Sequence, residues 1–222
     1  MGSGSSSDST SPGKQAGGAK AVEKDTNNSE ISKNKDVKDH NKSDQTKGTH
    51  KLANGDSYEG DVDASGAKHG KGVMKFASGG VYDGEWAKDK MHGKGVLTYA
   101  DGDVYEGEFH HGYREGKGKI RHPSGSSYEG DFLHDKRTGK GTFINPSGDT
   151  YTGDFIDGKR TGHGVLLHAV AGDVYEGEFK NSHRTGQGKT RYANGDVYEG
   201  TYVEVGFVDL NLSSTLDTRV VS

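Results

Sequence analysis

Between residues 48 and 202 apolar or glycine positions alternate with charged ones in short bursts separated by turn residues. Val104-Tyr-Glu-Gly-Glu-Phe109 is representative. Residues two apart on a strand share a face, so Tyr105, Gly107 and Phe109 fall on one side and Glu106 and Glu108 on the other. His110 to Glu115 is expected to form a polar turn. Gly116-Lys-Gly-Lys-Ile-Arg-His122 then alternates again. It sets Gly116, Gly118, Ile120 and His122 against Lys117, Lys119 and Arg121. The two bursts predict a β-hairpin with one Tyr/Phe/Gly/Ile face and one face of acids opposite bases. Such cross-strand charge pairs contribute roughly 0.2–1 kcal/mol each.

The same phrase returns seven times, at Tyr58-Glu-Gly60, Tyr82-Asp-Gly84, Tyr105-Glu-Gly107, Tyr128-Glu-Gly130, Tyr151-Thr-Gly153, Tyr175-Glu-Gly177 and Tyr198-Glu-Gly200. Consecutive tyrosines are 24, 23, 23, 23, 24 and 23 residues apart. A period this regular marks an array whose units pack only on their neighbours. Trp86, Phe132, Phe155 and Phe179 stand where Phe109 stands, and Leu97, Phe143 and Leu166 where Ile120 stands. The glycines leave room for the rings. Asn54-Gly55, Asp101-Gly102, Pro123-Ser-Gly125 and Asn194-Gly195 turn the chain into each next unit. Two strands per unit predict roughly fourteen strands in one antiparallel meander.

The unit Gly-Asp-Val-Tyr-Glu-Gly-Glu-Phe, with a Gly-x-Gly that closes thirteen residues after its tyrosine, resembles the MORN repeat. The resemblance covers about residues 48–202, with six units carrying both halves. It implies an all-β, elongated, twisted open sheet of hairpins with aromatic rings along one groove. The first unit has one extra residue before its Gly-x-Gly closes, and the fifth has one extra after it. That register, with Asp149-Thr-Tyr-Thr-Gly153, is similar to the MORN-repeat proteins of ciliary radial spoke heads. MORN arrays also accompany enzymes, including phosphatidylinositol phosphate kinases and a lysine methyltransferase. This chain has no further stretch long and apolar enough for a catalytic domain of that kind.

The flanks differ in character. Residues 1–46 are polar, low in complexity and without aromatics, which predicts a disordered tail. Residues 47–202 form the array. Residues 203–222 leave the pattern and are expected to be a cap or tail.

Composition narrows the chemistry. Hydrophobic residues are 28% of 222, and 37 residues are glycine, which suits one thin buried face. A net charge of −4 builds no basic field for nucleic acid. The absence of cysteine excludes disulfides, thiol catalysis and thiolate metal sites. Carboxylates that recur in every unit opposite Lys and Arg are expected to be a solvated ladder, because acid–base catalysis needs a unique sheltered pair. Of eleven histidines, His69, His92 and His163 lie in or beside Gly-x-Gly, and His110, His111 and His134 in turns; none matches a metal motif. Gly93-Lys-Gly95 lacks the spacing and helix of a phosphate loop. No catalytic, cofactor or metal residue is expected, and no cofactor.

The expected activity is that of a non-enzymatic scaffold in a ciliary, axonemal or other cytoskeletal complex. Its partners are expected on the aromatic groove or an open edge strand, with self-association through an end strand as a further mode. Trp86, Tyr82 and Tyr105 are the anchor candidates; the alternative is that they simply fill the groove. Lys71, Lys94, Lys117, Lys140 and Lys189 recur on the charged face and raise weak acidic-lipid contact as an alternative. Met1-Gly-Ser-Gly-Ser-Ser6 fits the N-myristoylation pattern, with Gly2 the acceptor.

Overall fold

The computed structural model describes residues 46–203. The expectations for the tail, for Gly2 and for residues 204–222 lie outside the described residues. All of the regular structure described is strand. In chain order the strands are β1 (Thr46–Lys51), β2 (Ser57–Val62), β3 (Lys68–Lys75), β4 (Val81–Ala87), β5 (Lys90–Thr98), β6 (Val104–His110) and β7 (Tyr113–Arg121). They continue as β8 (Ser127–Leu133), β9 (Lys136–Ile144), β10 (Thr150–Ile156), β11 (Lys159–Leu167), β12 (Val174–Lys180), β13 (His183–Arg191) and β14 (Val197–Tyr202). Each pairs antiparallel with the next, in sequence order, in one fourteen-stranded open sheet. At about 4.8 Å per strand it spans roughly 60 Å. The array begins at Thr46, one residue inside the expected tail.

One glycine per strand stands in register across the whole sheet. Gly48 pairs with Gly60, Gly60 with Gly72, Gly72 with Gly84, and so on to Gly188 with Gly200. The reason is the tyrosine beside it. From Tyr58 to Tyr175 each repeat tyrosine lies flat along its own strand, over the glycine two residues on and the glycine paired with that one on the next strand. Its hydroxyl donates to the carbonyl three residues ahead: Tyr58 to Asp61 (2.8 Å), Tyr105 to Glu108 (3.0 Å), Tyr175 to Glu178 (2.9 Å). A Cβ on Gly95 would lie 2.6 Å from Cζ of Tyr82, so no larger residue fits beneath the ring.

The rings then tile. Tyr82 meets Trp86 and Phe109 edge-on, Tyr105 meets Phe109 and Phe132, Tyr128 meets Phe132 and Phe155, and Tyr151 meets Phe155 and Phe179, with centroids 4.8–5.2 Å apart. Each such pair is worth about 0.5–1.5 kcal/mol beyond its burial. The ion pairs on the other face are exposed and worth about 0–1 kcal/mol each. The aromatic zigzag is therefore what holds neighbouring units together.

The turns differ from expectation in an instructive way. The stretch His110–Glu115 is not a six-residue turn: the chain reverses at His111 and Gly112, both at positive φ (51° and 91°), and Tyr113 pairs with His110. The same two-residue turn recurs at Lys88-Asp89, His134-Asp135, Asp157-Gly158 and Asn181-Ser182, always with positive φ, the twist-matched hairpin geometry. Two residues of the returning strand then bulge. Gly84 pairs with Gly95 and Glu85 with His92, which leaves Gly93 and Lys94 unmatched by β4. Gly93 sits at φ 57°, and the Lys94 N–H turns to the Glu85 carboxylate at 3.2 Å. So Gly116, placed by alternation in an ordinary strand, is a bulge residue at φ 89°.

The Asn-Gly and Asp-Gly turns close three-residue loops, as where the Gly102 N–H donates to the Tyr99 carbonyl at 3.0 Å. Both extra residues of the array are absorbed in turns. The first lengthens the hairpin loop closed by Asp63 and Ala67, and the second the loop closed by His168 and Asp173.

Candidate functional site

Two faces and two edges are what an array of this kind offers. On the aromatic face Tyr58, Tyr82, Tyr105, Tyr128, Tyr151 and Tyr175 are at most 1% exposed, and Trp86, Phe109, Phe132, Phe155 and Phe179 at most 5%. Tyr198, at the end, is half-buried. Trp86, Tyr82 and Tyr105 are thus closed off, and the Trp86 indole N–H is already bonded to the Gly72 carbonyl at 3.0 Å. As anchors for a partner they are unavailable; they fill the face.

The lid over the rings comes from residues that the strand pattern assigned to a polar turn. Arg114 lies 5.5 Å over both Tyr105 and Phe132, Arg160 over Tyr151 and Phe179, and Arg184 over Tyr175. Arg114 is 5% exposed. Its Nε donates to the Asp135 carboxylate (3.1 Å) and its Nη2 to the Asp135 carbonyl (2.8 Å), in the next hairpin turn. Arg137 reaches the Gly158 carbonyl and Arg160 the Ser182 carbonyl in the same way. An arginine nine residues after Tyr105, Tyr128, Tyr151 and Tyr175 was the available signal; a turn assignment hid it.

What remains accessible on this side is a row at its long-loop edge. It runs from Leu52 (37% exposed) through the partly buried Phe76 and Tyr99 to Tyr192 (43%). His122 and His168 lie in the same row, bonded to Asp103 (2.8 Å) and near Asp149 (3.6 Å).

The outer face is a ladder of charges. Lys117–Asp131 (2.6 Å), Lys140–Asp154 (2.7 Å), Lys119–Glu129 (2.8 Å) and Lys189–Glu199 (2.8 Å) are paired across strands. Acids of this face, Asp131 and Asp154 of the ladder among them, have a further task. Asp61, Asp131, Asp154 and Glu178 accept the backbone N–H in the middle of the next Gly-x-Gly. His92, His110 and His111 gather with ring centroids 4.1–6.0 Å apart. The neighbouring His110 holds the His111 imidazole below its usual range. No group of three His, Asp or Glu among the described residues is arranged to hold a metal ion.

The MORN repeat signature matches six consecutive stretches, 58–81, 82–104, 105–127, 128–150, 151–169 and 175–197. The chain belongs to the MORN repeat family. The signature lapses between 169 and 175, where this MORN array carries its longer loop. No curated protein matches the chain. Among solved structures, the array is similar to the TCP domain of Drosophila melanogaster SAS-4 in complex with a proline-rich motif of Ana2. The identity is 13% and the TM-score 0.40, over 76% of this chain and 98% of that one. The TCP10 domain of Danio rerio CPAP in complex with a STIL peptide gives 14% identity and a TM-score of 0.25, over 70% and 84%. Scores this low carry no likeness of function.

Burial gives the MORN tyrosines a measurable signature. It raises the hydroxyls of Tyr58, Tyr151 and Tyr175 to about 12, and raises those of Tyr82, Tyr105 and Tyr128 as well. An unfolded tyrosine ionises near 10. The native array therefore holds protons that the unfolded chain releases, and its stability is full below pH 10 and falls as pH rises through about 12. Tyrosinate absorbance is expected to rise together with loss of β-sheet circular dichroism in that window. Six tyrosines titrating near 10 with the sheet intact would contradict this packing.

Proposed function

We propose that this MORN array is a non-enzymatic scaffold for proteins of a cytoskeletal assembly, and that the ciliary radial spoke head is the most specific candidate. What supports a scaffold is the division of labour between the faces. The aromatic residues are consumed in joining unit to unit. The outer face, the long-loop rim and the two end strands are left to meet other molecules. Among the described residues, β1 and β14 each have a strand partner on one side only. An open edge accepts an added strand from a partner, or the end of another copy. On the rim, Leu52, Phe76, Tyr99 and Tyr192 offer the apolar contact that the buried tryptophan cannot.

A membrane tether is the competing assignment, and the ion pairs weigh against it. Three of the five lysines that would meet acidic headgroups, Lys117, Lys140 and Lys189, are paired with Asp131, Asp154 and Glu199.

Detergent fractionation of native cells separates the two. Retention of the full-length protein in the detergent-resistant, salt-extractable axoneme is the expected outcome. Its neighbours there would identify the assembly. A pool released by detergent alone would overturn the scaffold assignment in favour of a lipid-bound tether.

A further inference from the structure

Along the outer face the charge ladder is interrupted from β9 to β11. The two middle positions are Thr142 and Ile144 on β9, Thr150 and Thr152 on β10, and Val165 and Leu167 on β11. They adjoin one another across strands: Thr142 pairs with Thr152 and Thr152 with Val165, while Ile144 pairs with Thr150 and Thr150 with Leu167. Ile144, Val165 and Leu167 are 36%, 37% and 40% exposed. The Thr142 and Thr152 hydroxyls bond to each other at 3.1 Å, which satisfies them locally and leaves a β-branched surface. The fifth unit, which supplies β10 and β11, also holds two oddities of the array. Thr152 replaces the acid that follows every other repeat tyrosine, and the longer loop presents Val170 at 90% exposure. An uncharged block ringed by ion pairs has the anatomy of an interface core and rim.

We propose that this block packs face to face on the same block of a second copy of the chain, about a two-fold axis parallel to the strands and midway between β10 and β11. Charge favours this axis over its half-strand neighbours. Placed there, β10 lies over β11 of the second copy, β9 over β12, β8 over β13 and β7 over β14. Thr150 then faces Leu167 of the second copy, and Ile144 faces Val174. Around this centre Glu129 faces Lys189, Lys119 faces Glu199 and Lys140 faces Glu178, opposite signs in every case and each contact made twice by symmetry. An axis moved by half a strand, onto β10, would set Glu129 on Glu176 and Lys119 on Lys189, like on like. Sheets stack face to face about 10 Å apart with strands within about 30° of parallel, which this arrangement respects. Opposed charges at a rim set register, and the uncharged centre supplies the apolar contact. This contact is distinct from end-to-end pairing of edge strands and does not depend on the ciliary assignment.

Sedimentation equilibrium of the full chain tests it. A reversible monomer–dimer equilibrium is expected. Val165→Glu, at an exposed position in the block, is expected to weaken dimerisation on the order of a hundredfold, because it buries an unpaired carboxylate from each copy. Lys189→Glu is expected to weaken it roughly tenfold. Adding Glu129→Lys to Lys189→Glu restores opposite signs between copies and is expected to recover most of that loss. Trp86 fluorescence and far-ultraviolet circular dichroism unchanged from wild type confirm that each variant is folded. A wild-type chain that stays monomeric at all concentrations would overturn the proposal. So would a dimer indifferent to Val165→Glu, which places the contact at the edges, or a double reversal without recovery.

Discussion

Gly107→Ala is expected to destabilise the array by about 3 kcal/mol or more and to open the hairpin of β6 and β7. A Cβ at this position would stand 2.6 Å from the Gly118 Cα, 2.7 Å from the Lys117 carbonyl oxygen and 2.5 Å from the Tyr105 hydroxyl. The first two contacts are backbone and cannot swing aside. The third is held by its bond to the Glu108 carbonyl and by Phe109 and Phe132 on either edge of the ring. Gly112→Ala is the matched control. Nothing lies within 4 Å of its Cβ, but φ is 91°, so only conformational strain of about 1–2 kcal/mol is expected. Urea unfolding of both variants decides the matter. If Gly107→Ala costs no more than Gly112→Ala, the glycine row serves backbone freedom and not close approach of ring and strand.

That contrast also marks how far this molecule can be read from its residues. The spacing of Tyr105, Gly107 and Phe109 was enough to assign a face, and the 23-residue period enough to count the strands and order them. The acid-against-base alternation anticipated pairs such as Lys119–Glu129. Alternation failed where the chain departs from period two. Gly116 looked like one more strand glycine, because left-handed backbone leaves no mark on a hydrophobic pattern when the residue is glycine in either case. Arg114 looked like turn because a guanidinium is polar; only its planar face, stacked on Tyr105 and Phe132, makes it core. The site suffered most from this. Trp86 was a natural anchor on composition grounds, but how completely the lid arginines and neighbouring rings cover an aromatic row depends on side-chain directions that no spacing encodes.

The functional surface follows by subtraction. Once the aromatic row and its arginines are assigned to cohesion, variation between units is what remains to specify partners. The fifth unit supplies Thr152, Leu167 and the loop bearing Val170. Repeated positions build the sheet, and unrepeated ones give it an address.

Cohesion itself can be cut at one ring. Phe132 is 4% exposed and touches Tyr105 of the unit before and Tyr128 of its own, at 5.1 and 5.2 Å. Phe132→Ala is expected to cost about 3–5 kcal/mol, the usual range for a buried phenylalanine. The manner of the loss is the sharper expectation. In a one-dimensional array the interface energy between neighbours is what makes the units unfold together. The exposed ion pairs left bridging β7 and β8, Lys117–Asp131 and Lys119–Glu129, are too weak to replace it. Trp86, the only tryptophan, sits in β4 and reports the first half alone, while far-ultraviolet circular dichroism reports every strand. The two signals are expected to coincide in wild type and to separate in Phe132→Ala, as the halves melt independently. Tyr198→Ala, at the end of the ladder with Tyr202 as its ring partner, removes no link between halves and should leave the signals coincident. Coincident curves for Phe132→Ala, merely shifted to lower urea, would mean that the backbone ladder and not the aromatic zigzag carries cooperativity along the array.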